Sequence, residues 1–373
     1  MENLLRTSSI YDILQKALDG KRLSFEDGVR LFRSNDILHI GHIANIIRER
    51  KNGNRAYYIT NRHINYSNIC KNRCKFCAFS RDKEESGSYA MEMEEIMEKA
   101  IAAVEEGATE LHIVGGLHPD LPFGFYVKMI GEIHECCPDV HIQAFTAVEI
   151  EHLSQIAKLS VRQTLKTLKD AGLGSLPGGG AEVFAPKIRE QLCPEKLSGE
   201  GWLQVMREAH NLGLRSNATM LYGHVETPED RINHLIKLRE LQDETGGFMS
   251  FIPLAFHPKN TDLSNSSGTT AMLDLKVISI SRLMLDNFDH IKAFWIMLGI
   301  KLSQISLSFG VDDIDGTVKE EKITHAAGAE TPEALSVHEI IRLIKEAGRE
   351  PVERDTLYNP IKRHQKNIVL QKV

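Results

Sequence analysis

No apolar run in this chain is long enough to cross a bilayer, which excludes a protein anchored by spanning helices. Positive charge is not in excess either. With a formal net charge of -6, the chain offers neither nucleic acid nor an anionic lipid surface an electrostatic footing. The N-terminal stretch MENLLRTSSIYDILQKAL lacks the basic, apolar and small-residue succession of a secretory signal. Repeats of solenoid type are absent. Cysteine is scarce, 6 in 373 residues, far below the density of a disulfide scaffold, and the expected setting is a cytoplasmic protein with reduced thiols. What remains is ordinary globular composition, 42% hydrophobic and 26% charged, enough to bury a large core.

Half of that small cysteine set is clustered. Cys70, Cys74 and Cys77 stand as Cys-x3-Cys-x2-Cys within ICKNRCKFCAF, with Phe76 just before the third. Three thiolates at this spacing can hold three irons of a [4Fe–4S] cluster, and no fourth Cys follows closely, so one iron would be open to a small molecule. A zinc site completed by His63 or a distant Cys is the alternative, since Cys-x2-Cys halves are common in such sites. Of the other three, Cys136, Cys137 and Cys193, the first two sit near the end of a predicted helix and read as ordinary buried or half-buried positions, with a role as further cluster ligands the alternative.

Along the chain, residues 8–53 read as a helical prefix. Ser9 would cap a first helix, Ser24 with Asp27 forms a capping box, and Gly53 ends a third helix. Short β-rich runs then alternate with longer helical stretches. The strands expected are HINYSN, ELHIVGG, HIQAFTA, GSLPGGG, SNATMLYG, SFIPLAF, IKAFWIML and ISLSFGV. Eight such units predict an α/β fold of the (βα)8 TIM-type barrel, with an open doubly wound sheet as the other candidate. The expected organisation is an N-terminal helical extension over 1–53, a barrel over 54–325, and a C-terminal helix and tail over 326–373. The basic tail KRHQKNIVLQKV is expected to fray. TDLSNSSGTTAML follows the sixth strand and would be a cover over the active face or a plain surface loop.

Barrel enzymes build their sites at the C-terminal ends of the strands. The Cys triplet falls after the first predicted strand, Gly115, Gly116 and His118 after the second, and Thr146 with Glu149 after the third. Gly178, Gly179, Gly180 and Glu182 lie at the fourth, Gly223, His224 and Glu226 at the fifth, His257 at the sixth, and Asp312 and Asp313 after the eighth. The candidates for cofactor binding are Gly115, Gly116, Gly179, Gly180 and Glu182. The glycines allow close backbone approach, and Glu182 could accept hydrogen bonds from a ribose diol or an ammonium. His118, His257 and Glu226 are the catalytic candidates, with Glu226 equally suited to capping the helix that follows. Arg282, in a predicted helix, and Lys292, at the start of its strand and so toward the wrong end of a barrel, are poor candidates for an anion site. Phe294 and Trp295 read as core.

Taken together, NYSNICKNRCKFCAF, VGGLHPDLP, SLPGGGAEVF and ATMLYGHVETPEDR resemble the radical S-adenosylmethionine (SAM) superfamily, in the branch of the futalosine-pathway menaquinone enzymes and their deazaflavin-forming relatives. AEVFAPKIREQLCPEKLSG, FIPLAFHPKNTDL, HIKAFWIMLGIKL, VDDIDGTVKEEKITHAAGAETP and PVERDTLYN extend the resemblance over residues 55 to 359. Leu117 departs from the family, which carries Glu after its two glycines. The resemblance implies a [4Fe–4S] cluster, SAM as co-substrate, and an electron donor such as flavodoxin or ferredoxin. It further implies addition of the 5′-deoxyadenosyl radical to 3-[(1-carboxyvinyl)oxy]benzoate, an enolpyruvyl benzoate, with loss of bicarbonate. A hydrogen-abstracting cyclisation of dehypoxanthine futalosine is the alternative within the branch, and a non-catalytic zinc protein the alternative outside it. No nucleic-acid or membrane partner is expected.

Overall fold

A computed structural model describes residues 8–361, so the basic tail KRHQKNIVLQKV lies outside the described residues. Seven strands form one wholly parallel sheet in sequence order: β2 (Asn61–Ile64), β3 (Glu110–Ile113), β4 (His141–Ala144), β5 (Ser175–Leu176), β6 (Arg215–Tyr222), β7 (Phe248–Ala255) and β8 (His290–Ile291). A second parallel sheet has the order β10-β1-β9, made from β1 (Arg55–Ile59), β9 (Asp313–Gly316) and β10 (Glu350–Glu353). Single bridges, Lys292 to Asp313 and Arg62 to Lys319, tie β9 and its continuation to both ends of the larger sheet. The expected (βα)8 architecture therefore stands, with the closing strand shared between two sheets.

Helices between the strands put their apolar stripe on the sheet. In the helix Met93–Glu105, Ile96, Ala100 and Ala103 are buried and the acidic positions face out. Several helices start on reciprocal capping boxes, among them Thr146 with Glu149, Ser160 with Gln163 and Thr227 with Asp230. In the prefix, Ser24 and Asp27 form the expected box and Gly53 ends the helix Ile37–Asn52 at φ 61°. Ser9 does not cap: the helix Tyr11–Leu18 begins at Ile10 without a side-chain cap. The helices Phe25–Arg33 and Ile37–Asn52 pack on Pro228–Thr245 and Ala271–Met284 respectively, extending the barrel's outer layer.

The end of the barrel departs from expectation. Only the first part of IKAFWIML is strand; Trp295–Leu298 is a helical turn. ISLSFGV is the end of the helix Ile300–Ser306 and the turn after it, and the strand is instead Asp313–Gly316. That strand is bought into the core by pairing: Asp313 accepts from Arg354 Nε at 2.6 Å, and Asp312 holds the guanidinium of Arg282 and the ring of His290. Arg282 is thus fully buried in an ion pair rather than on a helix surface.

Candidate functional site

The loop carrying the cysteines is anchored at four points. Cys77 N donates to Cys74 O at 2.9 Å, closing a turn, while Cys70 N reaches Arg81 O, Lys71 N reaches Leu117 O and Lys75 N reaches Leu192 O. Cys70, Cys74 and Cys77 are free thiols, half-buried, on one wall of a cavity of about 320 Å³ at the C-terminal ends of the strands. Gly116 explains how the loop sits so close to β3. A methyl there would fall 2.3 Å from the Ile69 carbonyl oxygen and 3.0 Å from Cys70 Cβ. The space that glycine leaves open is therefore filled by the Cys loop itself.

The donor set fits an iron–sulfur cluster: three thiols, each from a different point of one loop, facing one cavity. His63 lies deeper in the barrel, stacked on His112, and is not the fourth ligand the zinc alternative asked of it. Burial pushes the Cys70 thiol up. Cys193, to which the sequence assigned no role, is 2% exposed and shares a hydrogen bond with Cys74. That bond, then burial, pushes the Cys74 thiol up, and the same bond brings Cys193 down to about 7.

Opposite the cysteines lies the glycine run. Gly179 O accepts from Trp202 Nε1 at 3.1 Å, which pins the run to the helix Gly199–Asn211. At Gly180, φ is 84° and a methyl would meet Val148 Cγ2 at 2.5 Å. Glu182 also lines the cavity, at φ 48°, and its carboxylate lies 2.7 Å from Lys196 Nζ with both side chains 13% exposed. Burial raises this carboxyl, but Lys196 outweighs it and holds the group below its usual range. Lys196 was not singled out in the sequence. It also stands 5.2 Å over the Phe76 ring, beside the third cysteine. Glu149 lines the cavity too, accepting from Gly115 N, Tyr66 Oη and both Thr146 donors, so it fixes the end of β3 against β4.

The three catalytic candidates separate. His257 lines the cavity, its Nε2 2.9 Å from Met297 O. His118 does not: its Nδ1 accepts from the backbone N–H groups of Asp120 and Leu121, shaping its own loop. Glu226 is turned away as well, accepting from Gly223 N, His224 N and Arg231 Nε, while Thr227 caps the helix. His224 is held by that same carboxylate, 3.0 Å away. Asp312 and Asp313 serve the barrel closure described above.

The radical SAM superfamily pattern matches residues 64–238, and the CofH/MqnC C-terminal region matches 245–367. The chain is 46% identical over 362 residues to the aminodeoxyfutalosine synthase of Thermus thermophilus, covering 96% of this chain and 97% of that one. The chain belongs to the radical SAM superfamily. It is also 42% identical over 356 residues, 94% of this chain and 97% of the relative, to the 5-amino-6-(D-ribitylamino)uracil--L-tyrosine 4-hydroxyphenyl transferase of Methanothermobacter thermautotrophicus. In fold it resembles the crystal structure of methylornithine synthase, with TM-score 0.74 and 20% identity over 91% of this chain and 97% of that one.

Within this radical SAM barrel the cavity continues below the cysteines to a polar floor. Strands buried on both faces of a parallel sheet are normally apolar throughout. Here Asn61 and His63 in β2, Glu110 and His112 in β3, and Asn217 and Thr219 in β6 put polar groups inward at every second position, and all line the cavity. His63 and His112 are register partners, and their rings stack at 4.4 Å and 11°. Burial pushes both imidazoles down, which keeps them neutral. Phe294 lies nearly parallel to His63, at 6.4 Å and 10°; it belongs to the core as expected and also lines the cavity. Trp295 is core as expected, donating to Gly316 O at 2.9 Å. Lys292 was assigned to the wrong end of the barrel because IKAFWIML was read as one long strand. With β8 only His290–Ile291, Lys292 follows the strand and lines the cavity.

Proposed function

We propose that this chain joins the 5′-deoxyadenosyl group of SAM to the vinyl carbon of 3-[(1-carboxyvinyl)oxy]benzoate, giving 6-amino-6-deoxyfutalosine, methionine and bicarbonate. The observation that carries this reading is the 46% identity, across 96% of the chain, to an enzyme named aminodeoxyfutalosine synthase. Cys70, Cys74 and Cys77 would hold three irons of a [4Fe–4S] cluster. A cluster bound there would supply the electron for reductive cleavage of SAM. Cys193, within hydrogen-bond reach of Cys74, would stand beside that ligating sulfur.

The remaining roles belong to the protein. Gly115 and Gly116 present main-chain groups beside the cysteine loop for the methionine part of SAM. The Gly179–Gly180 run and the Glu182–Lys196 pair form the facing wall for its nucleoside part. Leu254, Phe256 and Phe294 give the apolar surface that keeps water from a reactive intermediate. An external reductant such as flavodoxin or ferredoxin completes the cycle.

The test is anaerobic incubation of the reconstituted protein with SAM, a reductant and enolpyruvyl benzoate, followed by mass spectrometry. Appearance of 6-amino-6-deoxyfutalosine supports the reading. Turnover only of dehypoxanthine futalosine assigns the cyclisation instead. Turnover only of tyrosine with 5-amino-6-(D-ribitylamino)uracil assigns the transfer for which the Methanothermobacter relative is named.

A further inference from the structure

Lys292 is the one cavity-lining cation not consumed by a close ion pair among the described residues. It is 6% exposed, and its Nζ makes no hydrogen bond among them. Its nearest carboxylate, on Asp315, stands 3.7 Å away. An ammonium carries three N–H donors, and on this cavity-lining residue they are left for what the cavity holds. By contrast the other cation on the cavity wall, Lys196, is in 2.7 Å contact with Glu182. Neighbouring acids do not supply the missing bonds. Glu110 accepts from Asn61 Nδ2 at 3.1 Å, and Asp313 is taken by Arg354. Asp315 is held at φ 64° at the edge of the cavity, where burial, reinforced by Asp313 and Glu110, pushes its carboxyl up against the pull of Lys292.

Next to this ammonium stands the row of near-parallel rings of His112, His63 and Phe294. Flat and lining the cavity, they offer ring contacts to an arene. We infer that the floor of the cavity is an aryl-carboxylate subsite, with Lys292 binding the carboxylate and this ring row contacting the arene. The inference rests on the proposed function and deepens it by setting the orientation of the substrate. The vinyl carbon must approach the nucleoside near the cysteines, so the ring carboxylate at the other end of the molecule points down to Lys292.

The experiment compares wild type, Lys292→Met, Lys292→Arg and Asp315→Asn as cluster-loaded enzymes. Two probes are used: 3-[(1-carboxyvinyl)oxy]benzoate and 2-phenoxyacrylate, which lacks the ring carboxylate. Equilibrium dialysis without reductant gives Kd, and turnover gives KM and kcat separately. Lys292→Met should weaken binding of the benzoate about tenfold to a hundredfold, the range for a lost hydrogen bond to a charged group. The same variant should bind 2-phenoxyacrylate as wild type does, and Lys292→Arg should recover part of the discrimination. Should Lys292→Met fail to fold, the discrimination ratio of Asp315→Asn, which leaves the cation in place and removes its nearest competing carboxylate, carries the test, with a several-fold rise expected and an unchanged ratio counting against the subsite. If wild type converts the benzoate and Lys292→Met binds both probes as tightly as wild type, or loses the same factor for both, the subsite is wrong and the function stands. If wild type neither binds nor converts the benzoate, function and subsite fall together.

Discussion

Removing the Glu182 carboxylate should destabilise the protein strongly, because Lys196 would be left charged in a wall that water barely reaches. The two groups are 2.7 Å apart and each side chain is 13% exposed. At an effective dielectric constant near 20, a contact of that length corresponds to about 6 kcal/mol of attraction before desolvation is subtracted. Breaking a buried pair from one side costs about 3–5 kcal/mol. For a chain of 373 residues, about 1–2 °C is lost per kcal/mol, so Glu182→Gln should lower the melting temperature by roughly 3–10 °C. Lys196→Met removes the cation and most of the penalty, so the double variant should be more stable than Glu182→Gln alone. Anaerobic thermal melts of the four proteins close a double-mutant cycle. The pH dependence has a definite sign. The folded Glu182 sits below the ordinary 4.5 of a glutamate, so its contribution is complete above pH 4.5 and fades as pH falls below it. The deficit of Glu182→Gln should therefore be flat at neutral pH and shrink in acid. A coupling energy under about 1 kcal/mol, the level of an exposed pair, would refute the argument.

Other outcomes follow from the same geometry. Cys74→Ala should abolish SAM cleavage and lower bound iron while leaving far-UV circular dichroism unchanged; unchanged turnover would remove Cys74 from the ligand set. Gly116→Ala puts a methyl 2.3 Å from a backbone oxygen of the cysteine loop, so it should cost about 1–3 kcal/mol and reduce cluster content, measured by melting and iron assay. His325 is raised to about 9 by its hydrogen bond to Glu321, against the opposing effect of burial. Its contribution to stability is complete below its ordinary 6.5 and is lost as pH rises through about 9. Glu321→Gln should return its titration toward 6.5, read by the NMR shift of the ring protons.

The parts of this molecule that sequence made legible are those whose signal is local. A cysteine triplet within eight residues, capping boxes such as Ser24 with Asp27, and helices ending on glycine need no partner elsewhere in the chain. The barrel closure was misplaced for the opposite reason. FWIMLG and ISLSFGV are short apolar runs that strand and helix accommodate equally, whereas the real strand, Asp313–Gly316, is acidic and depends on Arg354 from far along the chain. The strands β1 and β10 escaped notice because each forms by pairing with the other across almost 300 residues. At the cavity, the glycine run and His257 lie on the wall where their position after strands put them, while His118 and Glu226 turn into their own backbone. The cavity floor left a readable trace: polar side chains at every second position of strands that should be apolar throughout, seen in Asn61 and His63 and again in Glu110 and His112. Lys196 left none, since its meaning depends on Glu182 lying across the loop.

The most direct test of the account is electron paramagnetic resonance of the reduced, reconstituted protein, with and without SAM labelled at its carboxylate oxygen. A cluster held by Cys70, Cys74 and Cys77 alone predicts a [4Fe–4S]+ signal that shifts on adding SAM and shows coupling to the label. A signal indifferent to SAM, or a protein carrying zinc and no iron, would contradict it.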